Sequence, residues 1–397
     1  DDLRLAERLL KEAAELEPVN ADAYAALALV AYAHHVFGFD RSAARDAQLR
    51  SAAERAAKLA PQSDFAQLAL ALLYRRNPGT DDEALSLLRA LAARHGTDKF
   101  ILRQLGSVLA ATQRDEEALA CYYRAAALPG GDAIALMGRA LLLGRQQRID
   151  EMEAAVEQAL ALRPDYGYAH VIKLVVMCYN RGDIGRTKLA LQQIPPRVMG
   201  DERVAAVAAF MWYWAREADR ASEALRHVTH DYIESNVVTM PTGLLTGLVH
   251  RLAGRKEAAA IEWRAALRVL ERRLALNPTS AGELGDKAAL LAMLGERAAA
   301  EEALRAYEQL RRVPAGRATS ATWQIYAELG REAEVADFFA ERLKGNYSDG
   351  AHYLAAQFRF NPVLDPFRDQ LRFRALAAEV DQFYAASAKV GTKAAAK

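Results

Sequence analysis

Residues 98–131 read DKFILRQLGSVLAATQRDEEALACYYRAAALPGG, and the apolar positions in this stretch have the spacing of two successive amphipathic helices. The stripe of the first helix comprises Leu102, Leu105, Gly106 and Leu109, and the stripe of the second comprises Ala118, Tyr122 and Ala125. Between them, residues 110–115 (AATQRD) predict a short polar turn. The stretch therefore predicts one antiparallel helix pair.

The same arrangement of large and small apolar residues returns along most of the chain at a spacing near 34 residues. Prolines that end helix pairs follow this spacing: Pro61 and Pro129 are 68 residues apart, and Pro129 and Pro164 are 35 residues apart. No stretch shows a competing strand pattern. A two-helix period of this length is typical of solenoids, in which each pair buries its apolar face only against its neighbours.

The pattern predicts five regions in the 397-residue chain. They are an N-terminal repeat array (1–228), an irregular joint (229–239), a C-terminal repeat array (240–345), a capping segment (346–387) and a frayed tail (388–397). The first region opens on the second helix of a truncated pair, contains pairs two to seven, and carries an insertion at 34–42. Because the chain starts within a pair and without an initiator methionine, we expect it to be part of a longer protein.

The composition argues against several classes of function. Lys plus Arg number 52 and Asp plus Glu number 51, a net charge of +1, so we expect no direct nucleic-acid partner. The most apolar runs are shorter than the roughly 18–20 residues that span a bilayer, so we expect no membrane insertion. Cys121 and Cys178 lie in different pairs without metal spacing, which favours a reducing compartment.

The sequence contains no phosphate-binding glycine loop and no HExxH, GxSxG or CxxC motif, so we expect neither enzymatic activity nor a cofactor. His227, His230 and Asp231 come closest to a metal site. Two imidazoles and a carboxylate could bind zinc, but a fourth ligand is missing and the polarity of a helix end explains these residues better. We therefore predict no metal.

The chain resembles tetratricopeptide-repeat proteins over about residues 3–345. The resemblance rests on the apolar stripes of residues 98–131 with Pro129, and on matching residues in two further pairs: Ala140, Ala159, Pro164, Ala259, Trp263 and Ala266. Arg139 and Met152 depart from the family, which prefers Leu and Ala there. The resemblance implies an all-α fold, a tetratricopeptide-like α-solenoid forming a right-handed superhelix of about ten antiparallel helix pairs with a C-terminal capping segment.

Two further stretches resemble bacterial multidomain signalling proteins, in which such an array follows a kinase, a nucleotide cyclase or a winged-helix DNA-binding domain. They are the insertion HHVFGFDRS (34–42) and the tail FRFNPVLDPFRDQLRFRALAAEV (358–380). In the tail, the apolar residues expected to cover the last pair are Phe367, Leu371, Phe373 and Leu376. The resemblance implies a cytoplasmic location, with the extracytoplasmic part of a membrane-anchored protein as the alternative.

The run Phe210-Met211-Trp212-Tyr213-Trp214 spreads around a whole helix, and one stripe buries only two or three of its residues. At least one aromatic side chain is therefore expected to face the groove or another pair, unless the irregular seventh pair needs this bulk to fill gaps. In the family the first helices line the concave groove, and single arginines there could equally be solvated charges. The predicted groove residues are Arg103, Arg139, Tyr168, Tyr179, Trp212, Tyr213 and His250.

Two functional hypotheses follow from these patterns. The first is a non-enzymatic interaction scaffold that binds a partner peptide, helix or loop in the concave groove, as part of a bacterial signalling or regulatory protein. The alternative is a regulatory module that senses a small molecule or peptide and changes its superhelical shape when the ligand binds.

Overall fold

The computed structural model describes residues 2–36, 40, 42–235, 237–311, 321–343 and 350–394. Part of the predicted insertion (37–39 and 41) lies outside the described residues. The chain divides into two compact units, Asp1–Leu143 and Gly144–Lys397. Each unit is built from antiparallel helix pairs, and we call the two members of a pair its first and second helix.

The N-terminal unit starts with a helix that precedes the first complete pair. Its helices are α1 (Asp2–Leu16), α2 (Ala21–Val36), α3 (Ala43–Leu59), α4 (Asp64–Arg76), α5 (Asp81–Arg94), α6 (Lys99–Ala111), α7 (Asp115–Ala127) and α8 (Ala133–Arg145), the last of which reaches the boundary between the units. The first helices are α2, α4, α6 and α8. Residues 98–131 thus form the helix pair that the sequence predicts.

Local sequence signals explain where these helices begin and turn. The Asp98 carboxylate accepts hydrogen bonds from the backbone N–H groups of Phe100 (2.8 Å) and Ile101 (3.1 Å), which caps α6. At the turn from first to second helix, the backbone is left-handed at residues 34 positions apart: Gly79 (φ +83°), Gln113 (φ +60°) and Gln147 (φ +61°). The repeat is therefore visible in the backbone as well as in the apolar pattern.

Small residues let the helices pack closely around large ones. A Cβ atom added at Gly106 would lie 3.0 Å from the ring of Tyr122, and one added at Gly138 would lie 2.6 Å from the same ring. Tyr122 therefore fills the space that two glycines of successive first helices leave open. This is the alternation of large and small residues from which the repeat was recognised.

The C-terminal unit continues the pattern with five more complete pairs among its described residues. Its helices up to the hairpin are α9 (Ile149–Leu162), α10 (Gly167–Val175) with a π-helical turn (Val176–Asn180), α11 (Ile184–Gln192), α12 (Pro196–Met199), α13 (Glu202–Trp214) and α14 (Ala218–Leu225). The later ones are α15 (Thr242–Leu252), α16 (Lys256–Leu276), α17 (Ala281–Met293), α18 (Arg297–Arg311), α19 (Ala321–Glu328) and α20 (Glu332–Leu343). Here the first helices are α10, α13, α15, α17 and α19, which makes five pairs beside α9.

A short β-hairpin interrupts the helices, and the expectation that no strand would occur is wrong at this point. Strands β1 (Tyr232–Glu234) and β2 (Thr239–Pro241) pair antiparallel, with Ile233 opposite Met240. The Ser235 hydroxyl accepts a hydrogen bond from the Val238 N–H at 2.8 Å, which holds the turn. Ile233 and Val238 are buried in the core of the C-terminal unit. That segment 229–239 is an irregular joint between two repeat arrays stays a prediction.

The chain ends in a C-terminal segment made of α21 (Ala351–Phe360), a 3-10 helix (Pro362–Phe367) and α22 (Leu371–Ala394). Phe373 and Leu376 are buried as expected. Leu371 is 85% exposed, so the expectation that it covers the last pair is wrong. Helix α22 continues past residue 388, where the sequence predicts a frayed tail, and residues 395–397 lie outside the described part.

The fold is an all-α, tetratricopeptide-like α-solenoid, as the sequence predicts. Among the described residues, no helix combines the length and the apolar character that crossing a bilayer requires.

Candidate functional site

The first helices of the N-terminal unit (α2, α4, α6 and α8) form one surface, which we call the N-terminal first-helix face. The Tyr32 hydroxyl on α2 donates a hydrogen bond of 3.0 Å to the Gln104 side-chain oxygen on α6. These two helices belong to pairs that are not adjacent, with α4 between them. A direct bond across an intervening helix requires the first helices to converge, so this face is concave over these three pairs.

Arg75 of α4 lies at the centre of this bridge. Its guanidinium donates to the Gln104 oxygen at 2.7 Å and to the Ser107 hydroxyl at 2.5 Å, and it lies over the Tyr32 ring at 5.6 Å from the ring centroid. Burial lowers the pKa of Arg75 from its ordinary value, because the charged form has lost much of its hydration. Tyr32, Arg75, Gln104 and Ser107 are called the Arg75 cluster below.

Two predicted groove residues lie on the same unit in different surroundings. Arg103 donates to both carboxylate oxygens of Asp132, at 3.1 and 2.8 Å. That carboxylate also caps α8 by accepting from the Ala135 N–H at 3.0 Å, so Arg103 ties α6 to the start of α8. Arg139 is nearly buried, and its guanidinium carbon lies 4.6 Å from the centroid of the Tyr123 ring. Both arginines thus have structural contacts.

In the C-terminal unit, the first helices also form a face, called the C-terminal first-helix face. Arg251 of α15 and Glu328 of α19 form an ion pair with two hydrogen bonds of 2.8 and 2.7 Å, although the pair α17/α18 lies between their pairs. Burial by itself lowers the pKa of Arg251, but the Glu328 carboxylate outweighs this effect and raises it. As in the N-terminal unit, side chains two pairs apart meet, so this face is concave here.

The C-terminal segment lies on the C-terminal first-helix face. Tyr353 of α21 packs edge-on against Tyr179 of the π-helical turn, with ring centroids 5.1 Å apart, and stacks on Trp214 of α13 at 6.3 Å. The guanidinium of Arg216 holds the Asp365 carboxylate with bonds of 3.2 and 2.5 Å. The chain therefore covers this face with its own helix.

This arrangement explains where four of the predicted groove residues lie. Tyr179, Trp212 and Tyr213 are buried, because α13 and the π-helical turn are enclosed by neighbouring pairs and by the C-terminal segment. Burial raises the pKa of Tyr179 and of Tyr213. His250 is partly exposed, and its Nδ1 atom is buried without a hydrogen-bond partner. Of the aromatic run, Trp214 faces the first-helix side, where the C-terminal segment covers it.

Tyr168, near the start of α10, is partly exposed and lies 6.3 Å from the ring of Tyr166. Of the seven predicted residues, two lie in the N-terminal unit and five lie in the C-terminal unit. Their role in binding stays a prediction.

A cavity of about 470 Å³ remains between the C-terminal first-helix face and the 3-10 helix. Apolar side chains line most of it, and its charged side chains are already in ion pairs: Arg251 with Glu328, and Asp365 with Arg216. Its lining residues are Tyr213, Leu248, Arg251, Leu252, Ala327, Glu328, Pro362, Val363, Asp365, Pro366 and Phe367. The cavity could enclose an apolar molecule of modest size.

His230, beside the hairpin, is engaged in an ion pair. His230 Nδ1 lies 2.6 Å from the Glu202 carboxylate, which raises the pKa of His230, and Asp231 accepts from Arg272 at 2.9 Å. Within the described part of the chain, no group of three or more His, Cys, Asp or Glu residues is arranged to hold a metal ion.

Sequence reasoning did not select Arg75, although a signal was present. On α4 the buried residues Leu68 and Leu72 and then Arg75 follow the i, i+4, i+7 spacing of one stripe. An arginine that continues a stripe of buried leucines must either turn to solvent or find partners. The bonds to Gln104 and Ser107 come from another pair, so only the packing of the pairs reveals them.

No family model and no curated protein matches the chain. Among solved structures, it is similar to Pseudomonas aeruginosa pilF (17% identity, 52% of this chain and 89% of that chain, TM-score 0.40). It is also similar to a tetratricopeptide repeat protein from Parabacteroides merdae (16% identity, 72% and 98%, TM-score 0.39) and to yeast Tom70 (13% identity, 87% and 87%, TM-score 0.37). The helix-pair repeat of the chain itself defines a tetratricopeptide-like fold.

Proposed function

We propose that this chain is an interaction scaffold that binds a segment of a partner protein on its N-terminal first-helix face. The observation that carries the proposal is the C-terminal segment: in the C-terminal unit, a face of the same construction already holds a helix and a 3-10 turn of the chain itself. Aromatic contacts hold the helix in place, and an ion pair holds the 3-10 turn. Apolar anchors and charged pairs of this kind also bind peptide helices in grooves.

The N-terminal face offers the same kinds of contact. Leu141 of α8 stands 34 residues after Ser107, at the equivalent position of the next first helix, and is 43% exposed. It places an apolar side chain one pair away from the charged Arg75. A partner segment that lies along the face could bury an apolar residue against Leu141 and direct a polar group toward Arg75.

Photo-crosslinking tests this proposal. A benzoylphenylalanine replaces Leu141, and in a matched control it replaces Leu189, an exposed leucine on the second helix α11. We expect one partner segment, identified by mass spectrometry of the crosslinked peptide, to be captured through position 141 and not through position 189. Equal capture at both positions, or capture at neither, would contradict the proposal.

The cavity in the C-terminal unit favours a second candidate, a regulatory module that senses a small molecule. Replacing Ala327 by Met would fill part of the cavity, whereas Ala127→Met adds the same atoms at an exposed position on α7. We expect native mass spectrometry to show a retained small molecule on the parent and on Ala127→Met, and none on Ala327→Met. A parent protein that carries no small molecule would count against sensing.

We also propose a bacterial signalling context, which the similarity of the tail and the insertion to bacterial multidomain signalling proteins supports. Crosslinked partners that are components of signalling systems would agree with this context, and partners of unrelated function would oppose it.

A further inference from the structure

The guanidinium of Arg75 is held by neutral partners. Its hydrogen bonds go to the Gln104 oxygen and the Ser107 hydroxyl, and its face is covered by the Tyr32 ring. No carboxylate pairs with Arg75 in the part of the chain that the structure describes. A cation that is partly removed from water without an opposite charge is costly, so the site as it stands is electrostatically incomplete.

Other arginines that connect two helices each have a carboxylate partner, which Arg75 lacks among the described residues. Arg103 pairs with Asp132, Arg181 with Glu153, and Arg251 with Glu328. Although burial lowers the pKa of Arg181 and of Arg251, their carboxylate partners raise it above the ordinary value. For Arg75 the effect of burial prevails and the pKa is lowered. Arg75 differs from these three because, among the described residues, no carboxylate bonds to its guanidinium, and Asp81 acts on it only through its charge.

The side chains that bond to Arg75 offer donors and carry no negative charge. Arginine can only donate, so Gln104 must turn its oxygen to Arg75 and to the Tyr32 hydroxyl, which leaves the two hydrogens of its amide nitrogen for an acceptor. The Ser107 oxygen likewise accepts from Arg75, and its hydrogen is left to donate. The Arg75 cluster thus combines guanidinium, amide and hydroxyl donors on the N-terminal first-helix face.

We propose that the Arg75 cluster binds the carboxylate side chain of an acidic segment of a partner protein. This proposal rests on the scaffold function proposed above. One carboxylate balances one guanidinium and accepts bonds from two or three of these donors. A phosphate dianion would leave one negative charge unbalanced in a partly buried place, because no second unpaired cation belongs to the cluster. The charge of the site therefore favours Asp or Glu.

A substitution that supplies the carboxylate from within the chain tests the site without a partner. In Ser107→Asp, the new carboxylate stands where the hydroxyl accepts from Arg75, and Ser107→Asn is the uncharged control of the same shape. We expect the melting temperature of Ser107→Asp to exceed that of Ser107→Asn by roughly 5 °C. We expect this difference to vanish when Arg75→Gln is added to both variants. A Ser107→Asp protein no more stable than Ser107→Asn would overturn the proposal.

A peptide array tests the partner chemistry on the full chain. The probes are acetylated and amidated twelve-residue peptides in twin sets that differ in one central residue, Glu, Gln or phosphoserine. We expect the parent and the control Arg76→Gln, whose arginine pairs with Asp46, to bind Glu peptides roughly tenfold more tightly than their Gln twins. We expect Arg75→Gln and Ser107→Asp to lose this preference.

The outcomes separate the two proposals. Peptides that bind without regard to Glu or to Arg75 would overturn the carboxylate site and leave the scaffold function standing. Stronger binding of the phosphoserine twins would overturn the choice of a carboxylate. If Ser107→Asp is stabilised through Arg75 but no peptide binds, the anion site stands and its peptide partner is overturned together with the scaffold function.

Discussion

Gly247 offers a sharp test of the packing between helices. It lies in the middle of α15, and a Cβ atom added there would stand 2.2 Å from Nε1 and 2.4 Å from Cδ1 of the buried Trp263 indole. The indole would have to retreat by about 1 Å to reach an ordinary contact distance. The guanidinium carbon of Arg251 lies over the Trp263 ring, 5.3 Å from its centroid. Displacement of the indole would therefore disturb the ion pair between Arg251 and Glu328.

Two opposing effects decide the outcome of Gly247→Ala. Alanine in a helix interior is favoured over glycine by about 1 kcal/mol. Overpacking of a core costs about 1–3 kcal/mol, occasionally more, and the contact here is far inside the normal limit. We expect a net loss of about 2 kcal/mol in the free energy of unfolding, which lowers the melting temperature by roughly 4–8 °C.

Circular dichroism melts and urea titrations of the full chain measure this loss. The control is Gly282→Ala, the same change on first helix α17 where nothing lies within 4 Å of the new Cβ atom, and it should leave the stability unchanged or raise it. Adding Trp263→Phe should recover part of the loss in Gly247→Ala. A Gly247→Ala protein as stable as the parent would refute the close approach of α15 and α16.

Three further predictions concern other parts of the chain. Gly106→Leu should cost about 1–3 kcal/mol because the added atoms meet the Tyr122 ring, and an unchanged melting temperature would mean that the register of this pair is wrong. Gln113→Gly should gain about 0.5–1 kcal/mol in a urea titration because its backbone is left-handed, whereas Gly79→Ala at the equivalent turn should lose a similar amount; shifts of equal sign would contradict this. Burial lowers the pKa of His352 to about 4, so the unfolded chain binds a proton between about pH 6.5 and 4 that the folded chain resists. The free energy of unfolding should therefore fall by about 3 kcal/mol as the pH falls through this window. Thermal melts of His352→Gln test the cause, and a pH dependence equal to that of the parent would exclude His352.

The helix pairs could be predicted because their signals are local. Apolar spacing, capping side chains and turn residues act over fewer than about 35 residues, so each pair can be recognised from its own stretch. Gly254, Gly295 and Gly330, for example, follow the ends of first helices, where a left-handed glycine is typical, and their φ angles are +76°, +79° and +70°.

The functional surface was harder to predict because contacts distant in sequence create it. The run 210–214 predicted an aromatic side chain that faces the groove or another pair. In the structure Tyr353, about 140 positions further along the chain, covers Trp214. The sequence did not single out Arg75, because its partners Tyr32, Gln104 and Ser107 come from α2 and α6. A one-dimensional pattern shows which stripe is apolar, and it does not show which other stripe lies opposite.

By itself, the sequence determined that this protein is an all-α array of helix pairs with a 34-residue period, since that result depends only on periodicity and on turn chemistry within each repeat. The tertiary structure decided which faces remain open. It placed the C-terminal segment on the first-helix face of its own unit. On the N-terminal first-helix face it left Arg75, to which no carboxylate of the described residues bonds. The reason is physical: burial and charge balance depend on neighbours in space, and those neighbours come from distant parts of the chain.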